Sequence, residues 1–186
     1  MIVNIITLLW LHLWPSAQSS QVCLSAEEQK LYHIIQQYRA EKKLPAIPLS
    51  TKLTQVAQAH VRDLDAHYTF DKNNACNPHS WSAHGAWSAC CYTSDHKQAR
   101  CMWDKPREIA NYNSEGFEIA YYHSVEAAAA DALAGWQKSV SHNPLLVNSG
   151  MWKEVSWQAI GIGIYKHYAV VWFGRIADDE KPKGCQ

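Results

Sequence analysis

The side chains in this sequence that are best suited to chemistry are imidazoles, carboxylates and thiols. The 186 residues include ten histidines and six cysteines. Imidazole and carboxylate are ligands that zinc accepts, and an incomplete protein shell leaves a coordination position for water. The sequence has no Gly-x-Ser-x-Gly elbow, no His-Glu-x-x-His helix and no glycine-rich phosphate loop. The histidines and acids are therefore the candidates for a functional site.

Each candidate also has an ordinary structural interpretation. His142 lies at the exit of a predicted helix, where a cationic side chain complements the helix dipole. His79 lies in a polar loop, where a histidine is most often solvated. Glu118 lies in an alternating segment, where an acid most often faces solvent. His60 lies on an apolar helical stripe, which favours a hydrogen-bonded core histidine over a ligand in a cleft.

Length and composition predict one globular domain. A hydrophobic content of 47% with 18% charged residues supports a packed core. Seventeen basic residues balance seventeen acidic ones. This balance gives no electrostatic reason to bind nucleic acid or an anionic membrane surface.

The N-terminal sequence has the layout of a secretory signal peptide. An apolar run over residues 2–14 is followed by a polar stretch in which Ala17 and Ser19 are small residues suited to cleavage. We therefore assign residues 1–19 to a signal peptide and residues 23–186 to the mature domain. The run is shorter than the roughly 20 residues that span a bilayer, although an uncleaved anchor is the alternative. We expect a secreted, extracellular monomer without integral membrane association.

The cysteines all follow that segment, and an even number in a secreted chain predicts three disulfides. Cys23 and Cys185 lie at the two ends of the mature domain, and chain ends often lie close together, so we expect them to pair. The other four are close in sequence: Cys76, Cys90, Cys91 and Cys101. They predict two further disulfides, and the sequence does not determine which of the four cysteines pair. A zinc site is the alternative, although adjacent cysteines lack the two-residue gap of a zinc knuckle.

Hydrophobic periodicity predicts three main helices. The first spans about residues 26–42 after a capping box, and the second starts at Ser50 or Thr51. The third runs from an N-cap at Ser124 to about residue 140, where the Asn-Pro pair begins a turn.

Two strands and a long loop complete the prediction. Residues 158–165 alternate strictly, with three isoleucines on one face and two glycines on the other, and residues 169–173 form the returning strand of a hairpin. The flat glycine face allows a helix to approach the sheet closely. No helical or strand period survives over residues 67–102, which we interpret as a functional, disulfide-tied loop.

Several of these segments resemble the CAP superfamily of cysteine-rich secretory, antigen and pathogenesis-related proteins. The motif from Trp136 to Leu146, the strand Ala159–Gly163 and the strand end Val171–Gly174 are similar to its C-terminal half. The resemblance is closest to the bacterial-type SCP pattern. It implies a three-layer α/β/α sandwich with a small antiparallel sheet, stapled by disulfides, as a single CAP domain over residues 23–186.

The resemblance also implies a site. In the family, two histidines and one or two glutamates converge in a cleft that can hold a divalent metal. The matching motifs place His79, Glu118 and His142 in that cleft as ligands of zinc or another divalent cation. Glu118 lies one place later than an ungapped match requires, so Glu115 is its rival. His84 is likewise a rival to His79, because the loop around them is longer than usual.

Two functions follow from the resemblance. The first is a non-catalytic extracellular domain that binds a small apolar ligand, such as a sterol or fatty acid, or a protein partner. The second is a metal-dependent hydrolase acting on peptides or esters, with Glu118 as general base for a zinc-bound water. The sequence leaves open whether any catalysis occurs.

Overall fold

The computed structural model describes residues 22–185, and the predicted signal peptide lies outside them. The helices are α1 (Ala26–Glu41), α2 (Thr51–His67), α3 (Ala99–Trp103), α4 (Lys105–Ala110), α5 (Ala129–Lys138) and α6 (Asn143–Leu146), with a 3₁₀ turn at Gly150–Trp152. The strands are β1 (Cys23–Leu24), β2 (Gly116–Tyr122), β3 (Ala159–Tyr165), β4 (Tyr168–Gly174) and β5 (Lys183–Gly184).

The main sheet lies between two helical layers. Its three strands are antiparallel in the order β2-β4-β3. The side chains of α1 and α5 pack on one face with Ile160 and Ile162, whereas those of α2 pack on the other face with Val170 and Trp172. The predicted α/β/α sandwich with a small antiparallel sheet is confirmed.

Helix α2 lies directly on the glycine face of β3. A Cβ atom at Gly161 would overlap the backbone of Leu53, and one at Gly163 would lie 2.5 Å from the carbonyl carbon of Ala57. Real Cβ atoms do not come that close to another backbone. The absence of side chains on this face therefore sets how near α2 comes to the sheet.

The predicted caps are confirmed for the first two helices but not for the third. Ser25 and Glu28 form a reciprocal capping box on α1, and the Ser50 hydroxyl accepts from the Leu53 N–H at the start of α2. The third helix begins at Ala129 rather than after Ser124. The reason is tertiary, because the Ala127 N–H already donates to a carbonyl of the β3–β4 hairpin.

Three disulfides close the chain and its long loop. Cys23 and Cys185 are bonded as predicted, with their Cα atoms 5.0 Å apart. The loop is held by two more bonds, Cys76–Cys91 and Cys90–Cys101. All six cysteines are therefore committed to disulfides, which excludes the alternative zinc site made of thiolates.

We expect Gly161→Ala to lower the free energy of unfolding by about 3 kcal/mol, because the new methyl group forces α2 away from β3. Urea unfolding checks this value. Gly184→Ala is the matched control, since its methyl group would meet only the flexible amide end of Gln29. Equal stability of the two variants would contradict the assigned contact between α2 and the sheet.

Candidate functional site

The centre of the candidate site is the carboxylate of Glu118. Glu118 lies on β2, an edge strand of the sheet, and faces α2 with a side chain that is 0% exposed. One oxygen, Oε1, accepts from His79 Nδ1 at 2.7 Å. The other, Oε2, is in a short contact with His60 Nδ1. Both carboxylate oxygens are thus occupied by imidazoles.

His60 is fixed on all sides inside the core. It is fully buried on α2, and its ring stacks on Trp81 with centroids 3.9 Å apart. Its second nitrogen, Nε2, lies 2.9 Å from the carbonyl oxygen of Ser80. Both ring nitrogens thus lie next to oxygen atoms that can accept a hydrogen bond. His60 and Glu118 form a fully buried histidine–carboxylate pair.

The charge state of Glu118 reflects two opposing effects. Complete burial acts to raise the pKa of its carboxyl group, but the charges and hydrogen bonds of His60 and His79 outweigh burial and lower the pKa. The group is therefore ionised near neutral pH. A carboxylate held this way fixes the orientation of both imidazoles.

His79 is presented by a tight turn of the disulfide-tied loop. The Asn77 side chain accepts from the His79 N–H at 3.0 Å, and the Asn77 N–H donates to Tyr92 O at 2.8 Å. Because Nδ1 of His79 contacts Glu118, Nε2 is the ring nitrogen left for another partner. Within residues 22–185, Nε2 has no hydrogen-bond partner.

His142 comes from the opposite layer of the sandwich, at the N-cap of α6. Helix α1 holds this short helix, since the Tyr38 hydroxyl donates to Asn143 Oδ1 at 2.9 Å and buried Arg39 donates to Leu146 O at 2.6 Å. The ring centroids of His142 and His79 are 6.5 Å apart. Burial, reinforced by the nearby His79, lowers the pKa of His142 to about 4.

The two histidines line one cleft beside the free edge of β2. The cleft has a volume of about 280 Å³ and is lined in addition by Asn77, Pro78 and the β2 residues 120–122. Phe70, which is 47% exposed, also lines it and stacks on Tyr122 with centroids 4.5 Å apart. An imidazole pair and an aromatic surface thus share the cleft.

The structure brings together most of the predicted site residues, whereas the two alternative candidates, Glu115 and His84, lie apart from them. Glu118 contacts His79, whereas half-buried Glu115 takes part in no side-chain hydrogen bond or ion pair within residues 22–185. His84 lies exposed and stacks on His67, away from Glu118. His60 is the hydrogen-bonded core histidine that its helical stripe indicated. Its pairing with Glu118 was not predicted. The sequence signal for that pairing was the position of His60 on the helix that faces Gly161 and Gly163.

Two imidazoles are the cleft side chains left to hold a metal ion, should one bind. No group of three or more histidine, cysteine, aspartate or glutamate side chains in the described part of the chain is arranged to hold a metal ion. The reason is that Glu118 is fully engaged and every cysteine is in a disulfide. His79 Nε2 and the ring of His142 remain, and nitrogen ligands of this kind bind zinc at about 2.0–2.1 Å. Their ring centroids are 6.5 Å apart, so the two rings would have to move closer together to share one ion.

Comparison with known proteins assigns the chain to a family. The sequence profile described as "CAP: Cysteine-rich secretory protein family" matches residues 32–171. The chain belongs to the CAP family. No curated protein matches it in sequence. Within residues 22–185, none of the helices is long and apolar enough to cross a bilayer.

Solved bacterial structures share the CAP fold. An extracellular protein containing an SCP domain from Bacillus anthracis str. Ames matches with a TM-score of 0.53 and 18% identity, over 81% of this chain and 40% of that one. A cysteine-rich secretory protein from Staphylococcus aureus subsp. aureus Mu50 matches with a TM-score of 0.51 and 14% identity, over 81% of this chain and 39% of that one. An outer surface protein from Borrelia burgdorferi matches with a TM-score of 0.54 and 16% identity, over 80% of this chain and 92% of that one. This chain thus spans less than half the length of the Bacillus anthracis and Staphylococcus aureus proteins.

We expect acid to destabilise the metal-free CAP domain through His142. The unfolded chain protonates this histidine near its ordinary pKa of 6.5, but the folded protein does so only near 4. The contribution of His142 to the free energy of unfolding is therefore complete above pH 6.5 and is lost as the pH falls from about 6.5 to 4. We expect the free energy of unfolding to decrease by about 1–3 kcal/mol over this range. The lowered pKa of Glu118 acts in the same direction below its ordinary value of 4.5.

Urea unfolding with a chelator, repeated across this pH range, measures the effect. His142→Gln should flatten the pH dependence, whereas Val140→Ala, which changes a side chain that is 94% exposed, should not. A His142→Gln protein that loses stability as steeply as the wild type would contradict the assignment.

Proposed function

We propose that this protein is a secreted, non-catalytic binding domain whose cleft holds a divalent metal ion between His79 and His142. The signal-like N-terminal sequence and the three disulfides support secretion. Two of the similar bacterial structures are described as extracellular or as an outer surface protein. The observation that carries the proposal is that Glu118 has both oxygens engaged by histidines.

Glu118 acts in this proposal as the group that orients His79. A histidine that binds a metal usually donates its other ring N–H to a carboxylate, which fixes the ring and raises its basicity. His79 has this arrangement, because Nδ1 donates to Glu118 and Nε2 is left for the ion. His142 supplies the second nitrogen. The bound ion would act as a Lewis acid toward an oxygen donor of the ligand.

The same geometry argues against the hydrolase. A general base must lie within reach of a water molecule and take its proton. Glu118 is fully buried, both its oxygens already accept from imidazoles, and its pKa is lowered. Acting as a base would require it to release His60 or His79, which would break a buried histidine–carboxylate pair or free the oriented ring.

The shape of the cleft favours an apolar group as the ligand. Phe70, Tyr122 and Pro78 provide an apolar wall next to the imidazoles. The volume of about 280 Å³ is at the small end of ligand pockets. We infer that one ring or short acyl segment enters, whether it belongs to a small apolar molecule or to a protein partner.

We expect the CAP domain to bind Zn²⁺ saturably, and His79→Ala and His142→Ala each to weaken binding by about tenfold or more, because each removes one of two protein ligands. Isothermal titration calorimetry at neutral pH measures the affinity. His84→Ala is the matched control, since it removes an exposed histidine of the same loop. Zinc affinity that is unchanged in both site variants would refute the proposed metal site.

We further expect no metal-dependent turnover by the purified, zinc-loaded protein on a broad panel of peptides and esters, because no group in the cleft is free to serve as general base. Product formation followed by mass spectrometry tests this. Turnover that disappears on chelation and in His142→Ala would favour the hydrolase instead.

A further inference from the structure

A second and larger cavity lies at the C-terminal end of α2. Its volume is about 450 Å³, and it shares no lining residue with the cleft of His79 and His142. Its wall is formed by Asp63, His67 and Tyr68 at the end of α2, and by Trp81, Ser82 and the Cys76–Cys91 disulfide of the loop. Nothing in the proposed function uses this cavity.

Its most unusual feature is a buried carboxylate without a cation. Asp63 is 6% exposed, and its oxygens accept from the N–H of Ser82, at 2.9 Å, and from the Ser82 hydroxyl. These bonds tie α2 to the loop but leave the negative charge uncompensated, since Asp63 forms no ion pair within residues 22–185. Buried charges are normally paired, because an unpaired one is costly to remove from water.

The neighbouring cations are already committed to other acids. His60, one helical turn before Asp63, pairs with Glu118. Lys105, whose ammonium lies over the Trp81 ring, donates to Glu108 at 2.7 Å and to a backbone carbonyl at 2.6 Å. Neither of them is available to neutralise Asp63.

The helix adds to the negative potential of this cavity. Helix α2 ends at His67, so its last carbonyl groups, with their partial negative charge, lie at the same end as Asp63. The His67 imidazole is exposed and stacks on His84 with centroids 4.2 Å apart, at the solvent side. A carboxylate and a helix C-terminus thus both favour a positive ligand here.

We propose that this cavity binds a primary alkylammonium group. The ammonium would donate to Asp63, while its alkyl chain would lie against the aromatic ring of Tyr68, which favours cations as well as apolar groups. Free amines and lysine side chains of a protein partner present the same chemistry. The ordinary structural role of Asp63 explains its bonds to Ser82 but not its missing counter-charge.

Titration of the wild-type protein with n-butylammonium at neutral pH, followed by amide and indole NMR shifts, tests the proposal. We expect saturable shifts at Ser82 and Trp81, and n-butanol, which has the same chain without the charge, to bind at least about tenfold more weakly. Nα-acetyl-lysine methylamide distinguishes the sources: tighter binding than butylammonium indicates a lysine of a protein partner, and weaker binding indicates a free amine.

Two variants locate the site. Asp63→Asn keeps an acceptor for Ser82 but removes the charge, and we expect it to weaken butylammonium binding by about tenfold or more. Asp65→Asn is the control, because Asp65 lies on the same helix but pairs with Lys166 and His167. Equal affinity for butylammonium and butanol in the wild type would overturn the proposal, whether or not Asp63→Asn folds. So would full butylammonium affinity in a folded Asp63→Asn protein.

Discussion

The structure depends on the direct contact between the backbone of α2 and the side-chain-free face of β3. Gly161 and Gly163 allow the helix to lie against the strand at Leu53 and Ala57. His60 follows Ala57 by about one helical turn, so its ring lies deep enough to reach the acid on β2. Any side chain on that face would lift the helix and separate the pair. The geometry of the cleft is therefore set by core packing.

The same contact connects the loop side of the cleft to the sheet. Buried Glu118 contacts both His60 and His79, so the loop histidine is bonded to the sheet as well as held by its own turn. Disulfides and the Trp81–Cys90 backbone bridge hold the same segment from its other end. His142 is anchored separately, through Tyr38 and Arg39 of α1. The two imidazoles thus reach the cleft from two independent, well-packed layers.

Much of this fold was readable from local sequence. The alternation over residues 158–165 predicted both faces of β3, and the capping box and Ser50 predicted where α1 and α2 begin. The start of α5 was not predictable in this way, because residues after Ser124 make tertiary hydrogen bonds that outweigh their helical pattern.

The site itself was only partly readable. An acid in a half-apolar strand normally faces solvent, and the burial of Glu118 depends on register: it lies opposite Trp172 on β4, under α2. Sequence spacing holds no information about that register. The same limit applied to Cys90 and Cys91, whose partners depend on how the loop folds back on itself.

The bond between Cys23 and Cys185 has a mechanical consequence. It closes a covalent ring around a sequence separation of 162 residues, beside the short ladder of β1 and β5. Tension applied to the polypeptide outside these two residues passes across the disulfide and bypasses the sheet. A molecule pulled by its ends would therefore keep its sheet intact under loads that would separate the strands of the same fold without the bond.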